Sequence, residues 1–183
     1  MGFEDLLEDL REDLNSPYVS RVAATQLSSL EKRELDRIRE DAITLFKGAT
    51  GLAWVDISLE DELNLWPREK DLSDKLIYRG YHDGALRGYA LVVTGWPEPT
   101  SWTVQHVIVD PSYRLKGAGM GLVQAIEDDM RRTTEGIETL QAFPFAFTDN
   151  GFWGSLGFEK GEVGKVALGG RDFPMVGYRK NIG

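Results

Sequence analysis

Residues 114 to 121, RLKGAGMG, stand where the periodicity of the chain changes. The stretch before them, SWTVQHVIVDP, is β-rich and ends in a proline. After them Leu122, Val123, Ile126 and Met130 recur at helical spacing along GLVQAIEDDMRR. A strand is therefore predicted to pass through a glycine-rich loop straight into a helix. Glycine is placed where φ must be positive or where a backbone must come close to something. Amides at a helix N-terminus, with the positive end of its dipole, attract phosphate, and glycines let a pyrophosphate reach them. Arg114 and Lys116 would add charge at the mouth. A tight turn that binds nothing is the alternative reading of the same residues. The loop lacks the G-x-x-x-x-G-K-[ST] of nucleotide triphosphatases and the G-x-G-x-x-G order of dinucleotide folds.

The segments around this junction give the order of elements. GFEDLLEDLREDL places Phe3, Leu6, Leu7, Leu10 and Leu14 on one face, which predicts an amphipathic helix over 1–15 with an acidic outer side. That helix suits either a homodimer contact or packing on its own domain. SPYVSRVA reads as extended, with Pro17 at a boundary. Ser28 and Glu31 have the spacing of a capping box for a helix carrying Leu30, Leu35, Ile38, Ala42, Ile43 and Phe46, with Gly48 as its stop. Residues 49–74 are irregular. KLIYRGYH and GYALVVTGW then read as strands flanking the turn HDGALRG, centred on Asp83-Gly84. WPEPTS is a second turn before the strand WTVQHVIV. ETLQAFPF is a further strand, DNGFWGSLG a short helix, and KVALGG and MVGYRK terminal strands. The sum is an α/β (α+β) chain with helices, an antiparallel meander, and a strand–glycine loop–helix–strand crossover that sets two neighbouring strands parallel.

The 183 residues fit one domain spanning 1–183, with a core that needs no staples. No apolar run approaches the length of a membrane span, and the N-terminus lacks the basic start and apolar core of a secretory signal. With no cysteine, disulfides and thiolate metal sites are excluded, and a cytoplasmic protein is expected. The net charge of −9 argues against nucleic acid as a partner and mildly favours cationic substrates such as amines.

VIVDPSYRLKGAGMGLVQAIE resembles the acetyl-CoA-binding motif of the GCN5-related N-acetyltransferase (GNAT) superfamily. That motif is a strand ending near a proline, then R/Q-x-x-G-x-G/A, then an amphipathic helix. Arg114, Gly117 and Gly119 fill its defined positions. DNGFWGSLGF is similar to the same superfamily's later motif, with Asn150, Phe152, Trp153, Gly157 and Phe158 in place. GYALVV at 88–93 matches a typical central strand. The resemblance covers 75–160 best and the flanks by order of elements.

The resemblance implies a GNAT-like fold with a mixed central sheet and flanking helices. It also implies transfer of an acetyl group from acetyl-CoA to a primary amine on a small molecule or protein, by direct attack and without a metal. The cofactor residues it implies are Val107, Ile108 and Val109, whose backbone would pair with pantetheine, then Arg114, Leu115, Lys116, Gly117, Ala118, Gly119, Met120 and Gly121, with Asn150 and Trp153. A strand amide would polarise the thioester carbonyl, and holding the amine beside it supplies much of the rest. The family often has a proton-donating Tyr where this chain has Trp153, whose indole is not a useful acid. The thiolate is left to depart unaided or to take a proton from water.

The general base commonly projects from positions matching Thr103 or Gln105, neither of which takes a proton at neutral pH. His106 has a suitable pKa. Period-two alternation puts it on the opposite face from Gln105 unless a bulge intervenes, and a core or interface histidine is the competing role. Glu98, Asp56, Glu60 and Asp61 are acids that could reach the cleft through water. Trp54, Trp66, Trp96 and Trp102 suit core positions singly, and together an aromatic acceptor pocket. The missing proton donors leave a non-catalytic acyl-CoA-binding sensor as the alternative function.

Overall fold

The computed structural model describes residues 21–52, 58, 61–62, 65–114, 117–133, 136–148 and 151–182. Strands run over Arg21–Gln26 (β1), Lys75–His82 (β2), Ala85–Thr94 (β3), Ser101–Val109 (β4), Thr139–Ala142 (β5), Glu159–Leu168 (β6) and Arg171–Asn181 (β7). Helices run over Lys32–Thr50 (α1), Ala118–Thr133 (α2) and Phe152–Ser155 (α3). The strands form one sheet in the order β1-β2-β3-β4-β5-β7-β6. β1 to β4 are an antiparallel meander, β4 and β5 are parallel across the α2 crossover, and β7 pairs antiparallel with both β5 and β6. This is the mixed sheet expected from the sequence. None of the described helices is long and apolar enough to cross a membrane.

Alternation along the central strands explains the three layers. Tyr78, Ala90, Val92, Trp102, Val104 and Leu140 face Leu122, Val123, Ile126 and Met130 of α2. Their neighbours Ile77, Tyr89 and Leu91 face Leu35, Ile38, Ala42 and Ile43 of α1. A sheet covered on both faces needs near-continuous apolar strands, and GYALVV supplies one. Gly88 opens that run because a Cβ there would stand 2.9 Å from the Ile108 carbonyl oxygen.

Several local expectations are corrected. The capping box does not form: Leu27–Ser29 is a 3-10 turn, α1 starts at Lys32 with Glu31 as its N-cap, and no side chain caps it. Burial of Leu27 holds that turn and leaves Ser28 outside the helix. Gly48 does not stop α1 either, because the apolar stripe continues to Ala49, and Gly51 at φ 72° closes the helix instead. The β2–β3 loop is only Asp83-Gly84, both at positive φ (51° and 72°), so ALRG belongs to the strand. β5 ends at Ala142, short of the predicted ETLQAFPF, because Pro144 cannot donate to a ladder. β6 and β7 are longer than KVALGG and MVGYRK and join through Gly169-Gly170. The predicted helix over 1–15 lies outside the described residues.

Candidate active site

β4 and β5 pair only from Ser101 to Val104 against Thr139 to Ala142. Beyond that point the two chains part. The chain after β5 turns to β7, where the Val176 N–H donates to the Pro144 carbonyl at 2.9 Å and Phe145 bridges Met175. β4 continues through Gln105 to Val109 on β3 alone. A cavity of about 930 Å³ fills the wedge, lined by every β4 residue from Thr103 to Val109.

Two features turn β4 toward this cavity. His106 is paired with Leu91 and Val104 with Val92, so Gln105 is the extra residue of a β-bulge. The bulge brings Gln105 and His106 to one cavity, the exception that plain alternation excluded. Further along, the Asp110 N–H donates to the Arg87 carbonyl at 2.8 Å, so Asp110 is a hydrogen-bonded position against β3. By alternation Ile108 is another, and Val107 and Val109 turn their N–H and C=O groups to the open edge.

The loop after β4 is pinned at its start. The Asp110 carboxylate accepts from the Ser112 hydroxyl (2.6 Å), the Ser112 N–H (2.9 Å) and Arg87 (3.2 Å). The Ser112 hydroxyl is the main cause that holds this carboxyl below its ordinary range, with the Ser112 amide and Arg87 adding to it. Arg87 also lies over the Tyr113 ring at 4.7 Å. The Arg114 guanidinium donates to the Ala49 carbonyl at the end of α1 and lines the cavity there. Gly117, at φ 79°, accepts the Gly121 N–H at 2.9 Å, and the amides of the first turn of α2 have no acceptor further back in the helix. Gly119 has a packing role as well, since a Cβ there would meet the Phe152 ring at 3.2 Å.

Val107, Ile108, Val109, Arg114, Gly117, Gly119, Met120 and Trp153 therefore line one cavity. Ala118 is buried beneath it, and Gly121 is not part of the lining. Leu115, Lys116 and Asn150 lie outside the described residues, as do Trp54, Asp56 and Glu60. Trp153 is buried, edge-on to Phe152 and Phe158 with centroids 5.2 and 5.0 Å away, and stacked on Tyr178. Its place is in the wall and core.

His106 lines the cavity and is partly buried. Burial among apolar groups pushes its pKa down from 6.5 to about 4, so the ring is neutral at neutral pH. Glu98 sits on the exposed β3–β4 turn, outside the lining. Asp61 is engaged elsewhere, accepting from the Ser58 hydroxyl at 2.8 Å and the Gly169 N–H at 2.9 Å. Trp66 and Trp102 are core residues, and Trp96 lines the cavity. Sequence reasoning missed Phe46, Phe143, Phe145, Phe147 and Met175 in the wall. FPFAF carried a signal, three phenylalanines at alternate positions beside a proline, but Phe46 comes from a distant helix.

Residues 35–158 match the family model described as the Acetyltransferase (GNAT) family. No curated protein matches the chain. Among solved structures, a GNAT-family protein from Desulfovibrio desulfuricans, assigned as an acetyltransferase, is 17% identical with a TM-score of 0.61, covering 89% of this chain and 100% of its own. The ribosomal-protein-S18-alanine N-acetyltransferase of Escherichia coli is 17% identical with a TM-score of 0.60, covering 88% and 94%. The ribosomal-protein-alanine N-acetyltransferase of Brucella melitensis is 19% identical with a TM-score of 0.59, covering 87% and 99%. At these identities the likeness shows the fold.

Proposed function

The chain belongs to the GNAT acetyltransferase family, and from that premise we propose that it transfers an acetyl group from acetyl-CoA to a primary amine by direct attack in a ternary complex. The observation that carries this reading is the wedge between β4 and β5, with the turned-out backbone of Val107 and Val109 on one wall and the N-terminus of α2 at one end. The thioester supplies an activated acyl group. Gly117 and the first turn of α2 would hold the pyrophosphate on backbone amides, and the strand edge at Val107 and Val109 would hold the pantetheine arm. An amide of that edge would meet the charge that grows on the carbonyl oxygen during attack.

In the transfer the amine nitrogen bonds to the acetyl carbon as the carbon–sulfur bond breaks. The thiolate takes a proton from water, since buried Trp153 is no acid. The amine gives its extra proton to water, because His106 with its pKa held near 4 is too weak a base to keep it. Gln105 and His106 stand at the bulge, where the acceptor side begins. The domain boundaries 1–183, a cytoplasmic location and a homodimer remain part of the proposal.

Initial rates of thiol release, with both substrates varied, test it. Intersecting lines with one acetylated amine per thiol are expected. Parallel lines would point to a covalent acyl-enzyme and overturn direct attack. The lack of an acid at Trp153 favours a second reading, an acyl-CoA sensor, which binds acetyl-CoA and releases no thiol with any amine.

A further inference from the structure

The wall of the cavity has two chemistries. At the α2 end it presents backbone amides, and between α2 and the end of α1 it presents Arg114, held on the Ala49 carbonyl. Across the bulge, toward α1 and the chain after β5, it presents Phe46, Leu65, Phe143, Phe145, Phe147 and Met175. Phe145 and Phe147 stack at 5.2 Å with planes 16° apart, and Phe46 meets Phe145 edge-on at 5.9 Å. Trp96 stands edge-on to Phe143 at 6.1 Å on the rim.

We infer that this aromatic half, formed by Phe143, Phe145 and Phe147 with Phe46 packed behind them, beside Gln105 and His106 of the bulge, takes an acceptor amine with an apolar, ring-sized body, and not a polycation. The inference rests on the acetyl-transfer reading of the same site.

Three observations carry it. First, large rings are left in water at the rim: Phe147 is 52% exposed and Trp96 51% exposed. Exposed apolar clusters mark contact surfaces, and a ring laid against these would remove them from water. Second, the chain carries a net charge of −9, yet no carboxylate lines the cavity among the described residues. Among the described lining residues Arg114 is the charged side chain, with Tyr113 and His106 the other titratable groups. A substrate with several ammonium groups would need acids to replace its water. Third, among the described lining residues the polar side chains on this side are Thr103, Gln105 and His106 of β4, Thr50, and Arg114 against the end of α1. The Thr103 hydroxyl is already donated to the Trp96 carbonyl at 2.7 Å. One polar end and one apolar body therefore match the wall. Cation–π contact does not reverse the argument, because phenylalanine is a weaker partner than tryptophan and a polycation would bring further charges that no carboxylate among the described lining residues meets.

The test compares phenethylamine and tryptamine with spermine and a lysine-rich peptide. Thiol release from acetyl-CoA is followed, and in parallel each amine is titrated calorimetrically into the protein saturated with CoA. The expected result is a kcat/KM for the aromatic amines at least about tenfold above that for spermine. Phe147→Ser and Trp96→Ser, both on exposed rings, should raise KM for phenethylamine roughly fivefold or more with kcat within about twofold. Higher kcat/KM for spermine or the peptide would overturn the inference and leave acetyl transfer standing. Binding of phenethylamine without thiol release would uphold the apolar site and overturn the transfer. Neither binding nor release with the aromatic amines would overturn the inference.

Discussion

The imidazole of His106 stands edge-on to the ring of Phe46, with centroids 5.4 Å apart and planes at 74°. Phe46 is fully buried, so the one contact places a titratable group of β4 against the apolar end of α1. Burial holds the folded pKa near 4, below the ordinary 6.5. The sign follows from proton counting: between those values the unfolded chain binds a proton that the native ring refuses. The stability is therefore fully present above 6.5 and is lost as pH falls toward 4. Over that window this residue should remove roughly 1–3 kcal/mol. Urea unfolding of the wild type and of His106→Phe, compared from neutral pH down to about 4, measures it. The wild type should fall relative to the variant. Parallel curves would mean that the ring titrates as in water.

Gly88 faces Ile108 and Val109 across the β3–β4 ladder, where a Cβ would meet the Ile108 carbonyl oxygen at 2.9 Å and Leu122 at 3.2 Å. The carbonyl is backbone and cannot step aside. Gly88→Ala should therefore destabilise by about 1–3 kcal/mol and weaken acetyl-CoA binding by displacing the cavity-lining strand. Gly48→Ala is the contrast, since it lies inside α1 with nothing within 4 Å of its added methyl. It should stabilise by roughly 0.5–1 kcal/mol. Thermal melts and a binding titration of both variants check the pair. Equal behaviour would contradict the packing account.

Glu127 of α2 is buried and holds Lys180 of β7 at 2.6 Å and Arg131 at 3.0 Å. Lys180 also lies over the Phe158 ring at 5.6 Å. Lys180→Met leaves the carboxylate with a half-exposed arginine as its partner, and should cost about 1–3 kcal/mol. Glu127→Leu combined with Lys180→Met should recover part of that loss, because no charge then stays buried. A double-mutant cycle by urea unfolding reads the coupling. Additive single effects would show that the pair contributes little.

Much of the fold was legible because its signals are local. The bounds of β2 follow from KLIYRGYH and the positive-φ pair Asp83-Gly84, and the face of α2 follows from Leu122, Val123, Ile126 and Met130. Errors arose where a local preference lost to packing. Ser28 had the right spacing for a cap, but burial of Leu27 sets a 3-10 turn there. Gly48 was a plausible stop, but Phe46 and Ala49 keep the helix on the core. The part of the cavity wall formed by Val107, Ile108, Val109, Arg114, Gly117, Gly119 and Met120 could be read, since strand, loop and helix are consecutive, while its use by coenzyme A belongs to the proposal. The phenylalanine half could not, because α1, the chain after β5 and β7 meet only in the folded sheet. The bulge at Gln105 left no mark in the sequence at all, though it decides that His106 faces the cavity.

Gly117 joins the strand to the helix at φ 79° and lines the cavity at the α2 end. Calorimetric titration of acetyl-CoA into the wild type and into Gly117→Glu tests the account at its centre. One binding site per chain is expected for the wild type. The variant should keep a cooperative melt, lowered by roughly 1–2 kcal/mol for the strained φ, and lose at least about a hundredfold in affinity. A folded variant that binds acetyl-CoA as tightly as the wild type, or a wild type that does not bind it, would contradict the assignment of this wedge to coenzyme A.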